Sequence, residues 1–581
     1  MFPIVLIMSI LCQGHAVDYG VEFVTAFPEN LAYYFPAELY HTLKITTFLP
    51  DTTIQIFMSG TSVNQSFISI PQVFTVNVSG AEVNQFDVST KSIRIVSNKN
   101  ITVLSINKRG DSIQANVVLP TTHLGVEYLV PSHNYTELAV QLNTYNYSVV
   151  TDSSIVPMDF SYRLLIINAE NVSNSVTVTK KTPEKEESTE IALGPFELTQ
   201  LPSDAFWFKV SSTAKVAVIL TNPCIDTENC RCNLVAHQLR PTTFLGTEFI
   251  FPPFDDPVNR LVVTSADSVD LSCGSESKTV APGSIGLLPY LPALDTGSPS
   301  FTTSVPASVR VIHPGIIIDL LPKTLFSSCY LVHTNIQTRA FVILIVETAT
   351  KDDTHMGIKP LSAVTSVNWN DVGDTGYSWA SVKLDSCRSC IFWHPTSKIA
   401  VYVFEYSELL VLYGGPAISI NNEPDPNGCV VVPTEYVLSN VTSSWQASRA
   451  YCISKGLILA SPNMNFTQQK MVATLNSMNA EGAAWLGLRR SLVTSEWYWH
   501  KDVHFSFANW ETNQPTSSLC VSMRMEPKGN FTWSSMRCCS SLLPLCARDM
   551  VTLGNMNDLS VYPFGASTSV SPGSTTSLSA I

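Results

Sequence analysis

Charged side chains are scarce in this chain. Only 14% of its 581 residues are Asp, Glu, Lys or Arg, although 45% are hydrophobic; an average soluble domain has about 25% charged residues. The 34 Lys and Arg residues are outnumbered by 47 Asp and Glu residues, which gives a net charge of −13. This acidic balance disfavours nucleic acid as a partner, because nucleic-acid-binding proteins need a basic stripe that displaces counterions from phosphates. The hydrophobic fraction excludes a disordered chain, and the length suggests about four domains.

Long hydrophobic runs are also missing. No stretch reaches the roughly 18 apolar residues that a membrane-spanning helix requires. Residues 2–12 are apolar, and Gly14 and Ala16 supply the small residues of a cleavage site, so we expect residues 1–16 to be a signal peptide. The Ser/Thr-rich end of the chain, 571–581, lacks the hydrophobic tail of a lipid-anchor signal. These features predict a secreted, extracellular protein without a membrane span, in which residues 549–581 form a disordered tail.

Asn-x-Ser/Thr sequons would supply the surface polarity that the low charge leaves missing. They predict a glycoprotein with glycans on nine asparagines: Asn64, Asn77, Asn100, Asn134, Asn146, Asn171, Asn440, Asn465 and Asn530.

Cysteines divide the chain into regions. None lies in 17–223, seven lie in 224–390 and six lie in 429–546. Thirteen remain once Cys12 leaves with the signal peptide, so at least one is free or bonded to another chain, as in a disulfide-linked oligomer. The sequence leaves open the pairing of Cys224, Cys230, Cys232, Cys273, Cys329, Cys387 and Cys390.

A short pattern recurs in the first part of the chain. Gly20-Val-Glu-Phe23 returns as Gly125-Val-Glu-Tyr128 and Gly246-Thr-Glu-Phe249, and Cys329-Tyr-Leu-Val-His333 is a weaker echo. Short alternating β-branched runs lie between these starts, which is typical of strands. We therefore predict an all-β region over 17–413, built of sandwich-like modules near 20–123, 124–244, 245–325 and 326–413. A propeller-like arrangement is the alternative.

These starts, together with turns such as Leu119-Pro120, Leu201-Pro202 and Leu288-Pro289, resemble the N-terminal region of the IgGFc-binding protein family over roughly 20–413. The resemblance implies a secreted, mucus-associated or adhesive protein without catalysis in this region. Its motif residues reflect packing and turns, so no binding residue is carried over from the family. After this region, Gly414–Gly428 is rich in Gly, Pro and Asn and is predicted to be a linker.

Residues 429–548 carry a different pattern. Ser443 or Ser444 is expected to cap a helix near Ala447–Gly456. The order of the aromatic residues and cysteines is similar to that of an α+β C-type lectin-like domain. The residues that carry this resemblance are Trp445, Cys452, Trp485–Leu488, Trp510, Cys520, Trp533, Cys538 and Cys546.

The lectin resemblance implies the bridges Cys452–Cys546 and Cys520–Cys538. We predict that the remaining two cysteines of this module, Cys429 and Cys539, pair with each other, which would leave the unpaired thiol upstream. The alternative prediction is a disulfide from Cys429 or Cys539 to one of the upstream cysteines.

Calcium-dependent sugar binding in this family uses a Glu-Pro-Asn or Gln-Pro-Asp loop and a Trp-Asn-Asp strand. Here these positions read Gln514-Pro515-Thr516 and Trp533-Ser534-Ser535. Both acids are missing, and Ca²⁺ needs about six to eight oxygen ligands. We therefore expect no cofactor or metal at this site. Trp445, Trp485, Trp497, Trp499 and Trp510 are interpreted mainly as core, with one or two aromatic residues near the loop left for a ligand.

The chain carries no HExxH, G-x-S-x-G or phosphate-loop motif, so we do not expect an enzyme. The sequence instead predicts a secreted recognition or adhesion protein, with roles such as cell adhesion or innate immunity, whose partner is an extracellular protein or glycan. The alternative is a structural component of mucus or extracellular matrix, cross-linked by disulfides.

Overall fold

The computed structural model contains two compact units: Met1–Cys429 with Leu553–Ile581, and Val430–Thr552. The residues that it describes are 17–32, 38–58, 65–69, 72–110, 112–131, 162–181, 185–202, 207–228, 231–250, 260–273, 276–280, 288–289, 300–313, 316–334, 339–384, 387–406, 411–500, 505–526, 531–548, 550–553 and 562–563. The expected signal peptide and most of the expected tail lie outside these ranges.

The first module of the N-terminal unit consists of short strands and one long strand. Its strands are β1 Gly20–Thr25, β2 Phe27–Pro28, β3 Leu39–Thr47, β4 Thr52–Met58, β5 Gln65–Ser69, β6 Val73–Asn77, β7 Glu82–Val83, β8 Ile93–Arg109 and β9 Ser112–Val118.

The long strand β8 organises this module. Its first half pairs with β1 and β4 and its second half with β3 and β9, all antiparallel. The outer strands β5 and β6 join β4 and β3. Ile95 in the first half and Val103 in the second half are both fully buried and belong to one apolar cluster. The strands form one sheet through β8, and the parts of the sheet beside its two halves share a core, as in a sandwich.

The next two modules repeat this pairing. The second contains β10 Gly125–Leu129, β11 Arg163–Asn168, β12 Asn174–Lys181, β13 Glu186–Leu193, β14 Leu198–Leu201, β15 Trp207–Glu228 and β16 Arg231–Gln238. The third contains β17 Gly246–Ile250, β18 Arg260–Thr264, β19 Val269–Cys273, β20 Glu276–Val280, β21 Leu288–Pro289, β22 Ser300–His313 and β23 Ile316–Leu320. Here β15 and β22 take the part of β8, and each pairs with four strands of its own module.

The recurring glycines lie at a close approach of two backbone segments. A Cβ atom on Gly20, Gly125 or Gly246 would come within 2.5, 2.5 or 2.3 Å of the Cβ of Pro120, Pro241 or Pro322. Each of these prolines precedes a three-residue 3₁₀ turn that leads to the next module. The glycines therefore recur because only a residue without a side chain fits beneath the proline.

The fourth module keeps the pairing but divides the long strand. Its strands are β24 Cys329–His333, β25 Arg339–Glu347, β26 His355–Met356, β27 Lys359–Pro360, β28 Asn370–Asp371, β29 Tyr377–Lys383, β30 Ser389–Trp393, β31 Ala400–Tyr406, β32 Val411–Pro416 and β33 Ile418–Asn421. Strand β30 pairs with β24 and β26, whereas β31 pairs with β25 and β32. Pro395 lies in the break between them, where it cannot donate a ladder hydrogen bond.

A buried tyrosine links the weak echo at Cys329 to the earlier starts. The Tyr128 hydroxyl accepts a hydrogen bond from the Gly125 amide at 2.9 Å and donates to the Val216 carbonyl at 2.5 Å. The Tyr330 hydroxyl does the same between Ser327 and Ile399, with both distances 3.0 Å. Burial raises the pKa of both hydroxyls. The fourth module thus begins with the same pair of tyrosine hydrogen bonds as the second, although Ser327 takes the position of the glycine.

The linker prediction over Gly414–Gly428 is wrong for its first half. Strand β32 runs through Gly414 and Gly415 to Pro416, and β33 follows at once. Gly414 is required here because a Cβ atom on it would lie 2.8 Å from the ring of Phe404. The glycines mark a crowded strand, which composition alone does not distinguish from a loop.

The four modules close into a ring, because apolar clusters join every neighbouring pair, including the fourth and the first. Members of a single cluster at each junction are Val24 with Leu165, Val235 with Val262, Val309 with Tyr402, and Val403 with Leu104. One strand from each module, β9, β16, β23 and β32, lies beside its neighbours around a central cavity of about 50 Å³. The region is therefore sandwich-like within a module and propeller-like in the arrangement of modules.

Charged side chains occupy the centre of this ring. Asp319 on β23 lies 2.8 Å from the Arg310 Nε and 3.0 Å from the His237 Nε2. Burial raises the pKa of the Asp319 carboxyl, but attraction by His237 and Arg310 outweighs it and holds that pKa well below its usual range. Paired in this way, the carboxylate tolerates its buried position.

The C-terminal unit has an α+β fold. Its elements are β34 Val430–Val432, β35 Glu435–Leu438, α1 Trp445–Ser454, β36 Ile458–Leu459, α2 Asn465–Ser477, β37 Gly482–Arg490, β38 Trp497–Trp499, β39 Cys520–Met525, β40 Trp533–Met536, β41 Leu543–Arg548 and β42 Val551–Thr552. The predicted cap is present, since the Ser444 side chain accepts from the Ala447 amide at 3.3 Å. Within the expected tail, β42 pairs with β34, and a two-residue strand β43, Tyr562–Pro563, pairs with β6 of the first unit.

No helix in the described part of the chain is long and apolar enough to cross a membrane.

Candidate functional site

The six motif positions of the sugar site are brought together in the C-terminal unit. Gln514 Oε1 accepts hydrogen bonds from the Ser535 amide at 3.0 Å and the Ser535 hydroxyl at 2.9 Å. The Thr516 amide donates to the same hydroxyl at 2.7 Å. The amide oxygen and hydroxyls that the motif retains therefore hydrogen-bond one another and fasten the loop after Trp510 to β40.

Glu511 is the carboxylate beside these positions. Its Oε2 accepts from the Ser534 hydroxyl at 2.7 Å, and its Oε1 lies 3.4 Å from the Arg524 Nη1. Both oxygens are thus engaged, and one carboxylate falls short of the ligand charge that holds Ca²⁺. Among the described residues, no group of three or more His, Cys, Asp or Glu side chains could hold a metal ion. That this site works without Ca²⁺ stays a prediction.

The tryptophans divide into buried and partly exposed residues. Trp445, Trp485, Trp499 and Trp533 are all 3% exposed or less. The indole N–H of Trp445 donates to the Leu486 carbonyl, and that of Trp485 donates to the Ser443 carbonyl, both at 2.8 Å. Both indole N–H groups therefore have their acceptors inside the fold, and the two hydrogen bonds connect the start of α1 to β37.

Trp497 and Trp510 are only half-buried and form a pair, with ring centroids 5.1 Å apart. Trp510 directly precedes Glu511, so the pair lies beside the loop that carries the motif positions. Arg490 lies over the Trp497 ring at 5.9 Å. The hairpin tip between β37 and β38 adds Leu492 and Val493, which are 78% and 93% exposed. These two tryptophans with their surroundings are the candidate recognition surface, named below the tryptophan surface.

Sequence reasoning missed helix α2 and its residue Gln468. The buried side chain of Gln468 donates to the Phe531 carbonyl at 3.1 Å and accepts from the Trp533 indole N–H at 3.2 Å. These bonds connect helix α2 to the start of β40, which carries Trp533. The buried side chains Gln468, Met471 and Leu475 recur at the three- to four-residue spacing that predicts a helix. That signal was weak because polar residues supply part of the buried face.

The cysteine pairing agrees with the sequence in part. The structure joins Cys452 to Cys546 and Cys520 to Cys538, as the resemblance implied, and it joins Cys387 to Cys390. Cys224 is also disulfide-bonded. The side chains of Cys230, Cys232 and Cys273 lie outside the described part of the structure.

The predicted bridge between Cys429 and Cys539 is wrong, and the rival expectation is what the structure contains. Cys429 is bonded to Cys329, with Cα atoms 5.5 Å apart. Strand β33 brings the chain back beside β24, where Asn421 pairs with Cys329. Cys539 is exposed and free, in the turn after β40. The unpaired thiol that the structure describes is thus in the lectin-like module and not upstream.

Five sequon asparagines lie in the described residues, and each is exposed: Asn77, Asn100, Asn171, Asn440 and Asn465. The other four, Asn64, Asn134, Asn146 and Asn530, lie outside them.

These features define a class of protein: a ring of β-modules combined with a C-type lectin fold. Residues 114–405 match the family model "IgGFc binding protein", and residues 441–548 match "Lectin C-type domain". The first match covers half of the chain, and the protein belongs to the IgGFc binding protein family. Both families consist of binding proteins.

The relatives share parts of this chain. Human "IgGFc-binding protein" is 26% identical over 238 residues, which is 40% of this chain and 4% of that protein. The chain therefore spans a small fraction of its curated relative. Among solved structures, a calcium-independent type II antifreeze protein is 20% identical and covers 20% of this chain and 88% of its own, with a TM-score of 0.18. Human lithostathine is 18% identical, covers 20% and 90%, and has a TM-score of 0.19.

Proposed function

We propose that the protein is a secreted glycoprotein of extracellular recognition or adhesion, whose lectin-like domain binds a protein or glycan without Ca²⁺. The observation that carries the proposal is the tryptophan surface. Trp497 and Trp510 are half-buried beside motif oxygens that already hydrogen-bond one another.

Partly exposed tryptophans are well suited to recognition. An indole ring offers a large apolar face at low entropic cost, and Trp and Arg are enriched among the residues that dominate binding energies. Arg490 supplies a cation over Trp497, and the Arg524–Glu511 ion pair supplies a polar rim. A sugar ring or an apolar protein side chain could stack on such a surface without a bound metal.

The N-terminal ring supports a non-enzymatic role as a rigid platform. Its junctions are apolar and its charged centre is paired, which favours a fixed scaffold over a moving one. The family match makes binding of an extracellular protein the first expectation for this unit. The antibody binding in the relative's name is not transferred, because this chain spans only 4% of that protein.

Screening of the full chain against glycan and extracellular-protein arrays, in Ca²⁺ and in EDTA, tests the proposal. We expect hits whose affinity is unchanged by EDTA and falls about tenfold or more in Trp510→Ala or Trp497→Ala. Tyr498→Ala is the matched control, because Tyr498 is exposed on the same strand but points to the opposite face. Binding that EDTA abolishes, or that both tryptophan variants retain, would contradict it.

A second candidate function, a cross-linked mucus or matrix component, is favoured by the exposed free thiol of Cys539. A disulfide-linked oligomer on non-reducing gels that is lost in Cys539→Ser would support it. A monomer under both conditions would remove it.

A further inference from the structure

A groove of about 430 Å³ lies in the N-terminal unit where the fourth module meets the first. Its floor is aliphatic, formed by Leu104 and Ile106 of β8 and by Ile113 and Ala115 of β9. Tyr40 and Tyr413 add aromatic walls from the two modules. The volume falls in the range of about 300–1,000 Å³ that is typical of small-molecule sites, and such sites are mostly apolar with few polar groups.

The sequence leaves this space open because small side chains occupy the positions that would fill it. Thr42 on β3, Thr75 on β6 and Ala115 on β9 all line the groove. Leu104, Ile106 and Lys108 follow one another at every second position of β8, so they lie on one face of the sheet. That face combines an apolar patch with a basic end.

The charged groups that line the groove are mainly cationic. Lys44, Lys108 and Arg388 line it, against one carboxylate, Glu405. His333 hydrogen-bonds through its ring nitrogens to the hydroxyls of Thr46 and Ser389, each at 2.9 Å, and adds no charge near neutral pH because it is buried. Burial lowers the pKa of that imidazole well below its usual value. The groove is therefore more suited to an anion than to a cation.

Lys44 is the most informative of these groups. An ammonium has three donors, and the hydrogen bond that the described residues offer it is a long one, 3.5 Å to the Thr334 carbonyl. Burial lowers the pKa of Lys44, and the charge of Glu405 acts in the opposite direction. Lys44 is partly exposed, and its ammonium lies beside the aliphatic floor with capacity for a further acceptor. A ligand carboxylate would supply that acceptor.

We propose that this groove binds a small amphipathic carboxylate, with its apolar body on Leu104, Ile106 and Ile113 and its carboxylate on Lys44. Arg388 is exposed at the rim and assists by attracting the anion. This site lies in the N-terminal unit and does not depend on the function proposed for the lectin-like domain.

Calorimetric titration of the full chain with decanoate, below its micelle concentration, tests the proposal. We expect saturable 1:1 binding that weakens at least tenfold in Lys44→Met and is retained in Lys44→Arg. Decanol, which has the same chain without the charge, should bind at least tenfold more weakly than decanoate. Lys278→Met is the matched control, because Lys278 is an exposed lysine of the third module, and it should bind as the unmodified protein does.

A cavity-filling variant guards against a misleading result from the lysine variants. Thr42→Phe places a large ring in the groove without altering Lys44, and it should abolish decanoate binding while the thermal unfolding transition is kept. Absence of saturable binding, equal binding to Lys44→Met, or equal binding of decanol would each overturn the assignment. Equal decanol binding would assign the groove to a neutral apolar ligand instead.

Discussion

The Asp18 carboxylate accepts a hydrogen bond from the backbone amide of Ser419 at 2.8 Å, across 401 residues of sequence. The Asp18 amide donates in return to the Ser419 carbonyl at 2.7 Å. Asp18 precedes the first strand of the first module, and Ser419 lies on the last strand of the fourth. The start of the expected mature chain is thus hydrogen-bonded to the last strand of the fourth module. Asp18 is buried there, at 1% exposure.

Asp18→Ala should destabilise the N-terminal unit by about 1–3 kcal/mol, because it leaves the buried Ser419 amide without its acceptor. It also removes the partner of Arg240, whose guanidinium lies 3.4 Å from the carboxylate. Urea unfolding followed by circular dichroism measures the change. Asp374→Ala is the control, since Asp374 is exposed, and an equal loss in both variants would contradict a specific role for Asp18.

Gly125→Ala should destabilise the same unit by roughly 1–3 kcal/mol, since overpacking at a rigid contact forces the backbone apart. The added Cβ would meet the Cβ of Pro241 at 2.5 Å. Gly415→Ala is matched to it, because an added Cβ there meets no atom within 4 Å. A lower midpoint of thermal unfolding in the first variant alone is the expected outcome, and equal midpoints would show that the glycine–proline contact can relax.

The repeated starts could be predicted from sequence because each has a local physical cause. Gly20, Gly125 and Gly246 each pack against a proline, and the aromatic residue directly after the glutamate is buried each time. Closure of the ring could not be predicted from sequence. It depends on contacts between residues far apart along the chain, such as Asp18 with Ser419, which leave no local sequence pattern. The composition of 414–428 predicted a linker for a related reason. Gly414 is present because Phe404 packs against its Cα, which is a tertiary contact, and not because the chain is flexible there.

The candidate site shows the same division. The buried tryptophans followed from the spacing of the motif, but the pairing of Trp497 with Trp510 depends on how the loop folds back onto β40. The pairing of Cys429 likewise depends on β33 returning to β24, a contact between strands nearly ninety residues apart along the chain, so counting cysteines within one module gave the wrong partner.

Cys329→Ser with Cys429→Ser should lower the stability of the N-terminal unit by about 2–4 kcal/mol, because the bridge closes a long loop in the unfolded chain. The bonded residues are 100 positions apart. Cys539→Ser should leave stability unchanged, because that thiol is exposed and free. Denaturant unfolding without reductant compares the two. Peptide mapping that recovered Cys429 linked to Cys539 would contradict the structure.

Removal of Ca²⁺ should not change the thermal unfolding of the full chain. Glu511 is engaged by Ser534 and Arg524, and Gln514 by Ser535, so few oxygens are free to gain from a bound cation. A ligand that binds only the folded form raises its melting temperature. Calorimetric scans in EDTA and in millimolar Ca²⁺ are the measurement, and a clear rise with Ca²⁺ would show that this expectation is wrong.

Acid should destabilise the N-terminal unit between about pH 6.5 and 4 through His41. Burial lowers the pKa of this imidazole from 6.5 to about 4. The unfolded chain therefore binds a proton in this window that the folded chain does not, and stability rises with pH there and falls as the solution is acidified. The loss approaches about 3 kcal/mol, since each pKa unit corresponds to about 1.4 kcal/mol.

His41 stacks on Phe27 with centroids 4.5 Å apart, so His41→Phe should keep the packing and flatten the pH dependence. Urea midpoints at half-unit pH steps measure both proteins, and identical slopes would mean that other groups govern the acid response.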